Sequence, residues 1–331
     1  MDLTIIWAGI IAFAVAAYVV LDGFDLGIGI LFPGFAVGAE RDSAMNAIAP
    51  VWDGNETWLV MGGGGLLAAF PLAYAVILPA TYPLVIAMLL GLVFRGVAFE
   101  FRWRDERHRA FWDLAFFGGS LVAALTQGMI LGAILQGIEV TGRGYSGSWW
   151  DWLTPYTLLT GVGVVAGYAL LGACWLVWKL EGEVQQRLYR LATWAAIATL
   201  ALMGIVSFAN LALLPEYRDR WLAAPQVYFT SQVPLLTAII AGFLLYGLRK
   251  RWERAPFLMA LALFALGMAG VGVTMWPYVV PGELTIWDAA TSARSQWFML
   301  VGFLITIPMI LGYTAWSYWV FRGKVGAEGY H

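Results

Sequence analysis

The sequence has 331 residues, of which 61% are hydrophobic and 12% are charged, and its formal net charge is −2. Soluble proteins carry about 25% charged residues, so a chain this poor in charge cannot cover its surface for water. The same figures exclude a disordered chain, which needs low hydrophobicity, and a nucleic-acid-binding protein, which needs a strongly basic surface. The composition therefore predicts an integral membrane protein.

Long charge-poor segments predict the architecture. A bilayer crossing takes about 20 apolar residues, and uncharged blocks of this length favour helices over the alternating strands of a membrane barrel. Residues 57–94 carry no charge and are too long for one crossing, so we expect a turn near residues 71–79. We predict one all-α membrane domain over residues 1–331, with nine spans at residues 3–31, 50–73, 75–97, 114–138, 153–178, 191–214, 227–248, 255–280 and 295–321.

The distribution of Lys and Arg predicts the orientation, because cytoplasmic loops carry an excess of both residues. One set of loops and the C-terminal tail hold fourteen of the 19 Lys and Arg residues, the other loops hold four, and Arg95 lies within a span. We expect the N-terminus outside and the C-terminus in the cytoplasm, with no removable signal peptide. Trp149, Trp150 and Trp152 are then expected at the outer membrane boundary. The fourteen are Arg41, Arg102, Arg104, Arg107, Arg109, Lys179, Arg187, Arg190, Arg249, Lys250, Arg251, Arg254, Arg322 and Lys324.

Four acids at membrane depth are candidate functional residues, because ionisable side chains are costly there. Asp22 and Asp25 stand three apart in LDGFDLGIG, and Asp53 and Glu56 repeat this spacing in PVWDGNETW. One interpretation is a proton-uptake path, since carboxyl groups in a low-dielectric site readily hold a proton. The other is structural: Asp53 and Glu56 would cap a helix, and Asp22 and Asp25 would hydrogen-bond between helices or pair with Arg95. Both interpretations remain open.

Arg95 and Glu100 lie near the inner end of the third predicted span, in GLVFRGVAFEFRWR. Arg95 could pair with one of the acids, bind a lipid phosphate or neutralise a carboxylate of a neighbouring cofactor. Alternatively, its side chain could extend to the membrane surface. Glu100 is a further candidate for the same charge cluster.

Haem and metal ligands are scarce in this sequence. The two histidines are His108, in an arginine-rich loop, and His331, at the last position, and neither lies in a predicted span. Membrane haems usually need axial histidine or methionine ligands within the helices, and the single Cys174 excludes cysteine-based metal sites. We expect no haem or metal held by this chain alone and assign it no catalytic residue.

Three segments, LDGFDLGIG, NAIAPVWDGNETWLVMGGG and LVFRGVAFEFR, resemble the signature of subunit II of the cytochrome bd quinol oxidases, including their cyanide-insensitive branch. The resemblance is specific over about residues 21–104. It implies two four-helix bundles plus one peripheral helix in the bacterial inner membrane. It also implies a related subunit I that carries haem b and haem d and oxidises quinol. A small single-span subunit, membrane lipid and a structural quinone are further partners that such a complex can hold.

The resemblance also implies that Asp53, with Trp52 beside it and Asp25 near it, lines a proton route from the cytoplasm to the oxygen-reducing haem. Glu56 departs from some family members, which have an amide there, so no role passes to it. Three functions remain open: a proton-conducting subunit of a terminal oxidase that reduces O₂ to water, a purely structural partner subunit, and an independent secondary transporter. The acids are confined to the inner ends of the first three spans, which favours one-sided proton uptake over a transporter.

Overall fold

The computed structural model describes residues 2–326, which form long helices and two short hairpins. The strands are β1 (Val140–Thr141), β2 (Gly144–Tyr145), β3 (Tyr278–Val280) and β4 (Leu284–Thr285), and they pair as β1–β2 and β3–β4. The helices are α1 (Leu3–Leu31), α2 (Ala39–Asn46), α3 (Trp52–Ala69), α4 (Pro71–Ala80), α5 (Tyr82–Arg104), α6 (Arg109–Leu135), α7 (Pro155–Lys179), α8 (Gly182–Asn210), α9 (Pro215–Leu222), α10 (Val227–Thr230), α11 (Gln232–Arg249), α12 (Ala255–Met275), α13 (Ile286–Ala289) and α14 (Ala293–Val320).

Eight helical segments within residues 2–326 are long and apolar enough to cross a membrane, which confirms the predicted membrane class. They correspond to eight of the nine predicted spans. The remaining span, residues 50–73, coincides with α3, whose 18 residues include Asp53, Asn55 and Glu56 and are less apolar. At 1.5 Å per residue α3 is about 27 Å long, close to the thickness of the hydrocarbon core.

Contacts between loops sort the chain into two ends. At one end, the Lys179 ammonium donates to the Phe321 carbonyl oxygen at 2.5 Å; we call this the inner end. At the other end, which we call the outer end, the Trp287 indole donates to Asp2 at 2.8 Å. The Thr291 amide, in the loop that leads into α14, donates to the Ala69 carbonyl oxygen at 2.9 Å. The last turn of α3 therefore lies beside that loop.

The boundaries of the third predicted span, residues 75–97, are wrong. Residues 71–80 form a separate helix, α4, and the long helix α5 begins only at Tyr82. The chain breaks near the predicted turn, at Phe70 and Thr81 on either side of α4. Pro71 lies in the first turn of α4 and Pro83 in the first turn of α5, where proline fits because the first helical N–H groups have no partner in the helix.

Glycines bring the central helices into close contact. A Cβ atom on Gly27 of α1 would lie 1.8 Å from the Tyr168 carbonyl oxygen of α7, and one on Gly91 of α5 would lie 2.7 Å from the Gly119 carbonyl oxygen of α6. The backbones of α1 and α7, and of α5 and α6, therefore touch. The largest apolar core contains Phe24 and its neighbours from these helices. In contrast, only 6% of the apolar window of α14 is buried, so α14 lies at the periphery.

Candidate functional site

The two acids of α1 lie in the interior. Asp22 and Asp25 are both fully buried, on the inner half of the helix. Their three-residue spacing places them on one face, and Gly27, one turn further on, lets α7 cover that half of α1 closely. The glycines of the motif thus place carboxyl groups where water does not reach their surface.

Arg95 of α5 is the cation of this site. Its side chain is fully buried, and its guanidinium lies 2.5 Å from Asp22 and 3.1 Å from Glu56 of α3. It also lies over the ring of Trp52, 5.8 Å from the centroid. Arg95 therefore does not extend to the membrane surface, because both carboxylates hold it inside. The structure brings together the inner ends of α1, α3 and α5.

Asp25 is held by a second set of contacts. The Asn55 side-chain amide of α3 donates to Asp25 Oδ2 at 2.8 Å and to the Leu21 carbonyl oxygen at 3.3 Å. The Tyr318 hydroxyl of α14 donates to the Asn55 side-chain oxygen at 2.9 Å. Asp25 is thus linked to a peripheral helix through one amide.

A hydrogen-bonded chain of three side chains begins near Asp22. Tyr18, one turn earlier on α1 than Asp22, is its first member. The Gln127 amide of α6 donates to Tyr18 at 2.7 Å, and the Tyr168 hydroxyl of α7 donates to the Gln127 side-chain oxygen at 2.8 Å. These bonds satisfy polar groups that would otherwise be costly to bury between helices.

Asp53 lies apart from this cluster. It is in the first turn of α3 and exposed, and within residues 2–326 its carboxylate has no hydrogen-bond partner. The N-cap residue of α3 is Val51, and no side chain caps the helix, so Asp53 does not act as a hydrogen-bonding cap. Trp52 stacks on Phe99 of α5 at a centroid distance of 4.8 Å, and its ring separates the exposed start of α3 from Arg95.

Glu100 also lies outside the cluster. Its carboxylate is 3.4 Å from Arg104 one turn further along α5, and both side chains are largely exposed. Exposed pairs of this kind contribute little to stability. The structure therefore does not bring Glu100 to Arg95.

A second group of ion pairs lies at the inner end, between α2, α5 and α6. Asp113 accepts from Arg102 at 2.5 Å and from Arg41 at 2.7 Å. Asp42 accepts from Arg102 at 2.8 Å and from Arg109 at 2.5 Å. Arg102 and Asp113 are buried, so this group fastens α2 beneath the helices that carry the first cluster.

The site contains polar residues that the sequence analysis missed, namely Asn55, Tyr318, Tyr18 and Gln127. None of these four side chains carries a full charge at neutral pH, which was the property that marked the predicted site residues. Gln127 is one of few polar residues in the apolar run of α6, and Asn55 lies within the motif that contains Asp53 and Glu56. Uncharged polar residues in apolar runs would have been the signal for both.

The described residues contain no cluster of His, Cys, Asp and Glu ligands for a metal ion. Within residues 2–326 no group of three His, Cys, Asp or Glu side chains is arranged to hold a metal ion. His108 is exposed in the loop before α6 and contacts Asp105 at 2.9 Å. Cys174 is a buried free thiol, and His331 lies outside the described residues.

Comparisons with known proteins identify the family and the fold. A family model described as cytochrome bd terminal oxidase subunit II matches residues 3–321. Cytochrome bd-I ubiquinol oxidase subunit 2 of Escherichia coli K12 is 33% identical over 365 aligned positions, covering 98% of this chain and 96% of that protein. Cytochrome bd ubiquinol oxidase subunit 2 of Bacillus subtilis 168 is 30% identical, covering 97% and 96%. The bd oxidase structure from Geobacillus thermodenitrificans has the same fold, with a TM-score of 0.79 at 18% identity over 97% of this chain and 99% of that chain.

Proposed function

Because the chain belongs to the cytochrome bd terminal oxidase subunit II family, we propose that it carries protons from the cytoplasm toward a haem-bearing partner that reduces O₂ to water. In this proposal subunit I holds haem b and haem d and oxidises quinol, and activity requires both subunits. The present chain also stabilises the complex. Membership of this family argues against an independent transporter.

One observation carries the proposal: the fully buried Asp22 is connected to the partly exposed Glu56 through Arg95, and Asp25, also fully buried, lies on the same face of α1 as Asp22. Arg95 pairs with two of these three carboxyl groups, so the third, Asp25, can hold a proton without leaving Arg95 unpaired. Burying three charges beside a single cation would be costly. A cluster of this kind suits a site that takes up and releases one proton.

The proposed entrance is the start of α3. Asp53 is exposed there, and Glu56 lies one turn further in, with 29% of its side chain exposed. A proton taken up at Asp53 would pass Trp52 to reach Glu56 and the buried acids. The proposed direction is inward, because the exposed acids lie at the inner end and the buried ones deeper in the helices.

Replacing single carboxyl groups by amides tests this proposal. Asp25→Asn and Asp53→Asn each remove a group that binds a proton while keeping its size. We expect both to lower oxygen consumption by the purified complex with excess quinol, normalised to haem content, by at least tenfold for Asp25→Asn. Glu100→Gln is the matched control, since Glu100 is an exposed acid outside the cluster, and its turnover should equal that of the unchanged complex.

The structural alternative gives a different result. If these acids only stabilise helices, Asp53→Asn should leave turnover unchanged, because Asp53 makes no hydrogen bond that an amide could disturb. Asp25→Asn would then lower assembly or haem content, and the activity per haem would stay the same. Normal activity per haem in both variants would contradict proton conduction.

A further inference from the structure

A peripheral helix reaches the proposed proton site through one hydroxyl group. The Tyr318 hydroxyl donates to the Asn55 side-chain oxygen, and the Asn55 amide donates to Asp25. Asn55 is 263 positions from Tyr318 and 30 positions from Asp25 in the sequence, so only the fold brings the three residues together. No other part of α14 makes a polar contact with the acid cluster.

These contacts define the orientation of the Asn55 amide. Its nitrogen faces two acceptors, Asp25 and the Leu21 carbonyl oxygen, and its oxygen faces a donor, Tyr318. In this orientation the amide gives Asp25 a hydrogen bond, which favours the ionised carboxylate. If the amide turned over, its oxygen would face Asp25, and this contact would be favourable only with a protonated carboxyl group.

We propose that Tyr318 is a positioning residue for Asp25: by donating to the Asn55 oxygen, it keeps the Asn55 amide hydrogen directed at the carboxylate. Without this hydroxyl the Asn55 oxygen would be buried with no donor, which is costly. Rotation of the amide would relieve that cost by turning the oxygen toward Asp25. Asp25 would then retain its proton more strongly and pass it on more slowly. This inference rests on the proposed function, in which Asp25 exchanges a proton.

The surroundings of Asp25 contain few other groups that could produce such an effect. The charged or titratable side chains that act on it are Asp22 of α1, Glu56 of α3, Arg95 of α5 and Tyr318 of α14. The polar chain on α6 and α7 ends on Tyr18 and makes no hydrogen bond to Asp25 among the described residues. Tyr318 is the one member of this set that bonds to Asn55.

A purely structural account is that Tyr318 only fastens α14 to the bundle. Ser317, the preceding residue, also fastens α14, because its hydroxyl lies 3.4 Å from the Pro50 carbonyl oxygen. Tyr313 is on the same helix but is 68% exposed. Ser317→Ala therefore serves as the control for anchoring, and Tyr313→Phe as the control for removing a tyrosine hydroxyl from α14.

The experiment uses the purified two-subunit complex and two measurements. Infrared difference spectroscopy follows the band of the protonated Asp25 carboxyl group with pH, and Asp25→Asn identifies this band by removing it. Oxygen consumption with excess quinol gives the pH profile of turnover. In Tyr318→Phe we expect the band of the protonated Asp25 carboxyl group to persist to a pH about one unit higher than in the unchanged complex. This shift is a tenfold change in the proton-binding equilibrium, the size expected when a charged group loses a hydrogen bond. The turnover profile should shift in the same direction.

The controls separate positioning from anchoring. Tyr313→Phe and Ser317→Ala should leave the band and the profile in place, and Tyr318→Phe should have no further effect in an Asn55→Leu background. An unshifted band in Tyr318→Phe, an equal shift in Ser317→Ala, or a shift that persists without Asn55 would each overturn the proposal.

Two further outcomes are informative. If Tyr318→Phe fails to assemble, Asn55→Leu alone provides the test, because removing the amide must shift the band to higher pH, and an unshifted band would overturn the proposal. The infrared shift does not depend on turnover. A shifted band in a complex whose turnover tolerates Asp25→Asn would support the positioning role and contradict only proton conduction through Asp25.

Discussion

At the scale of single residues, Arg95 is the group on which the buried site depends. A buried ion pair is weak evidence for net stability, because desolvating both charges offsets their attraction. Removing one partner is different, since the other charge then stays buried without compensation. Arg95 contacts Asp22 and Glu56, so its loss would leave two carboxyl groups without a cation.

Arg95→Met should therefore destabilise the complex, by about 3–5 kcal/mol, the range for broken buried pairs. Arg104→Met is the matched control, because the exposed Arg104–Glu100 pair should contribute about 1 kcal/mol or less. Adding Asp22→Asn to Arg95→Met should recover part of the loss by removing an uncompensated charge. Thermal unfolding of the purified complex measures all three variants. Equal effects of Arg95→Met and Arg104→Met would show that the buried pair has no special role.

The sequence predicted the acids of this site but not their partners. Charged residues within apolar segments are conspicuous, so Asp22, Asp25 and Arg95 could be identified from spacing and membrane depth. Which of them meet depends on helix packing, because the Arg95–Asp22 contact spans 73 positions. The same limit explains why the prediction that Glu100 belongs to the Arg95 cluster was wrong. It lies close to Arg95 along α5, yet it faces outward and pairs with Arg104.

At the scale of helices, the contact between α1 and α7 positions the buried acids. Gly27 of α1 and Gly172 of α7 face each other, and a Cβ on either would meet the backbone of the other helix. The backbone cannot move aside as a flexible side chain can. The glycines therefore have a packing role that composition alone does not reveal.

Gly27→Ala should destabilise the complex by about 1–3 kcal/mol or more, because its Cβ would lie 1.8 Å from the Tyr168 carbonyl oxygen. Gly9→Ala on the same helix is the matched control. A Cβ there meets no atom within 4 Å, and alanine favours the helix by about 1 kcal/mol over glycine. Thermal unfolding should thus shift in opposite directions for the two variants. A neutral Gly27→Ala would contradict the close approach of α1 and α7.

Helix α2 is tied to α8 by a pair that depends on pH. The Arg187 guanidinium donates to Glu40 at 2.5 Å, and this bond is the main reason that the pKa of Glu40 lies below its ordinary value. A carboxyl group whose pKa is lowered by folding stabilises the folded state when the pH is above its ordinary pKa, which is about 4.5 for Glu40. This stabilisation is lost as the pH falls through the lower pKa that Glu40 has in the folded protein.

A spin label tests this dependence. Val37, just before α2, is 77% exposed, and a label on Val37→Cys should become more mobile as the pH falls below about 4.5. The native Cys174 is buried, so it does not compete for the label. With Glu40→Gln added, the label should be mobile at every pH. If the label mobility still changes with pH in the Glu40→Gln variant, another titratable group causes the change and the prediction is contradicted.

Prediction from the sequence was least accurate around α4. Residues 57–94 contain no charge, so hydropathy gave no boundary, and three prolines offered several places for a turn. The chain breaks at Phe70 and Thr81, just before Pro71 and Pro83, which lie in the first turns of α4 and α5, whereas Pro79 lies within α4. Three prolines thus did not reveal which of them begin helices. In contrast, the other seven predicted spans were bounded by charges, and seven long apolar helices correspond to them.

At the scale of the whole molecule, the contacts between loops divide the structure into two ends. The Lys- and Arg-rich loops meet at the inner end, through Arg187 with Glu40 and through Lys179 with Phe321. At the outer end, Asp2 contacts Trp287, and the Tyr217 hydroxyl donates to the Leu135 carbonyl oxygen at 2.9 Å. The two termini of the described chain thus lie at opposite ends, as an odd number of crossings requires.

We predict the orientation of this arrangement in the membrane from the positive loops, because loops rich in Lys and Arg usually stay in the cytoplasm. A reporter enzyme that is active only outside the cytoplasm should give no signal when fused after His331, which itself lies outside the described residues. The same reporter fused after Gly147, in the loop between α6 and α7, should give a strong signal, because that loop belongs to the opposite end. The two fusions carry the same reporter and differ only in its position, so the ratio of their activities does not depend on how active the reporter itself is. Activity after His331 together with silence after Gly147 would reverse the orientation. The same result after both fusions, whether activity or silence, would place them on one side of the membrane and would mean that the number of crossings after α6 is even.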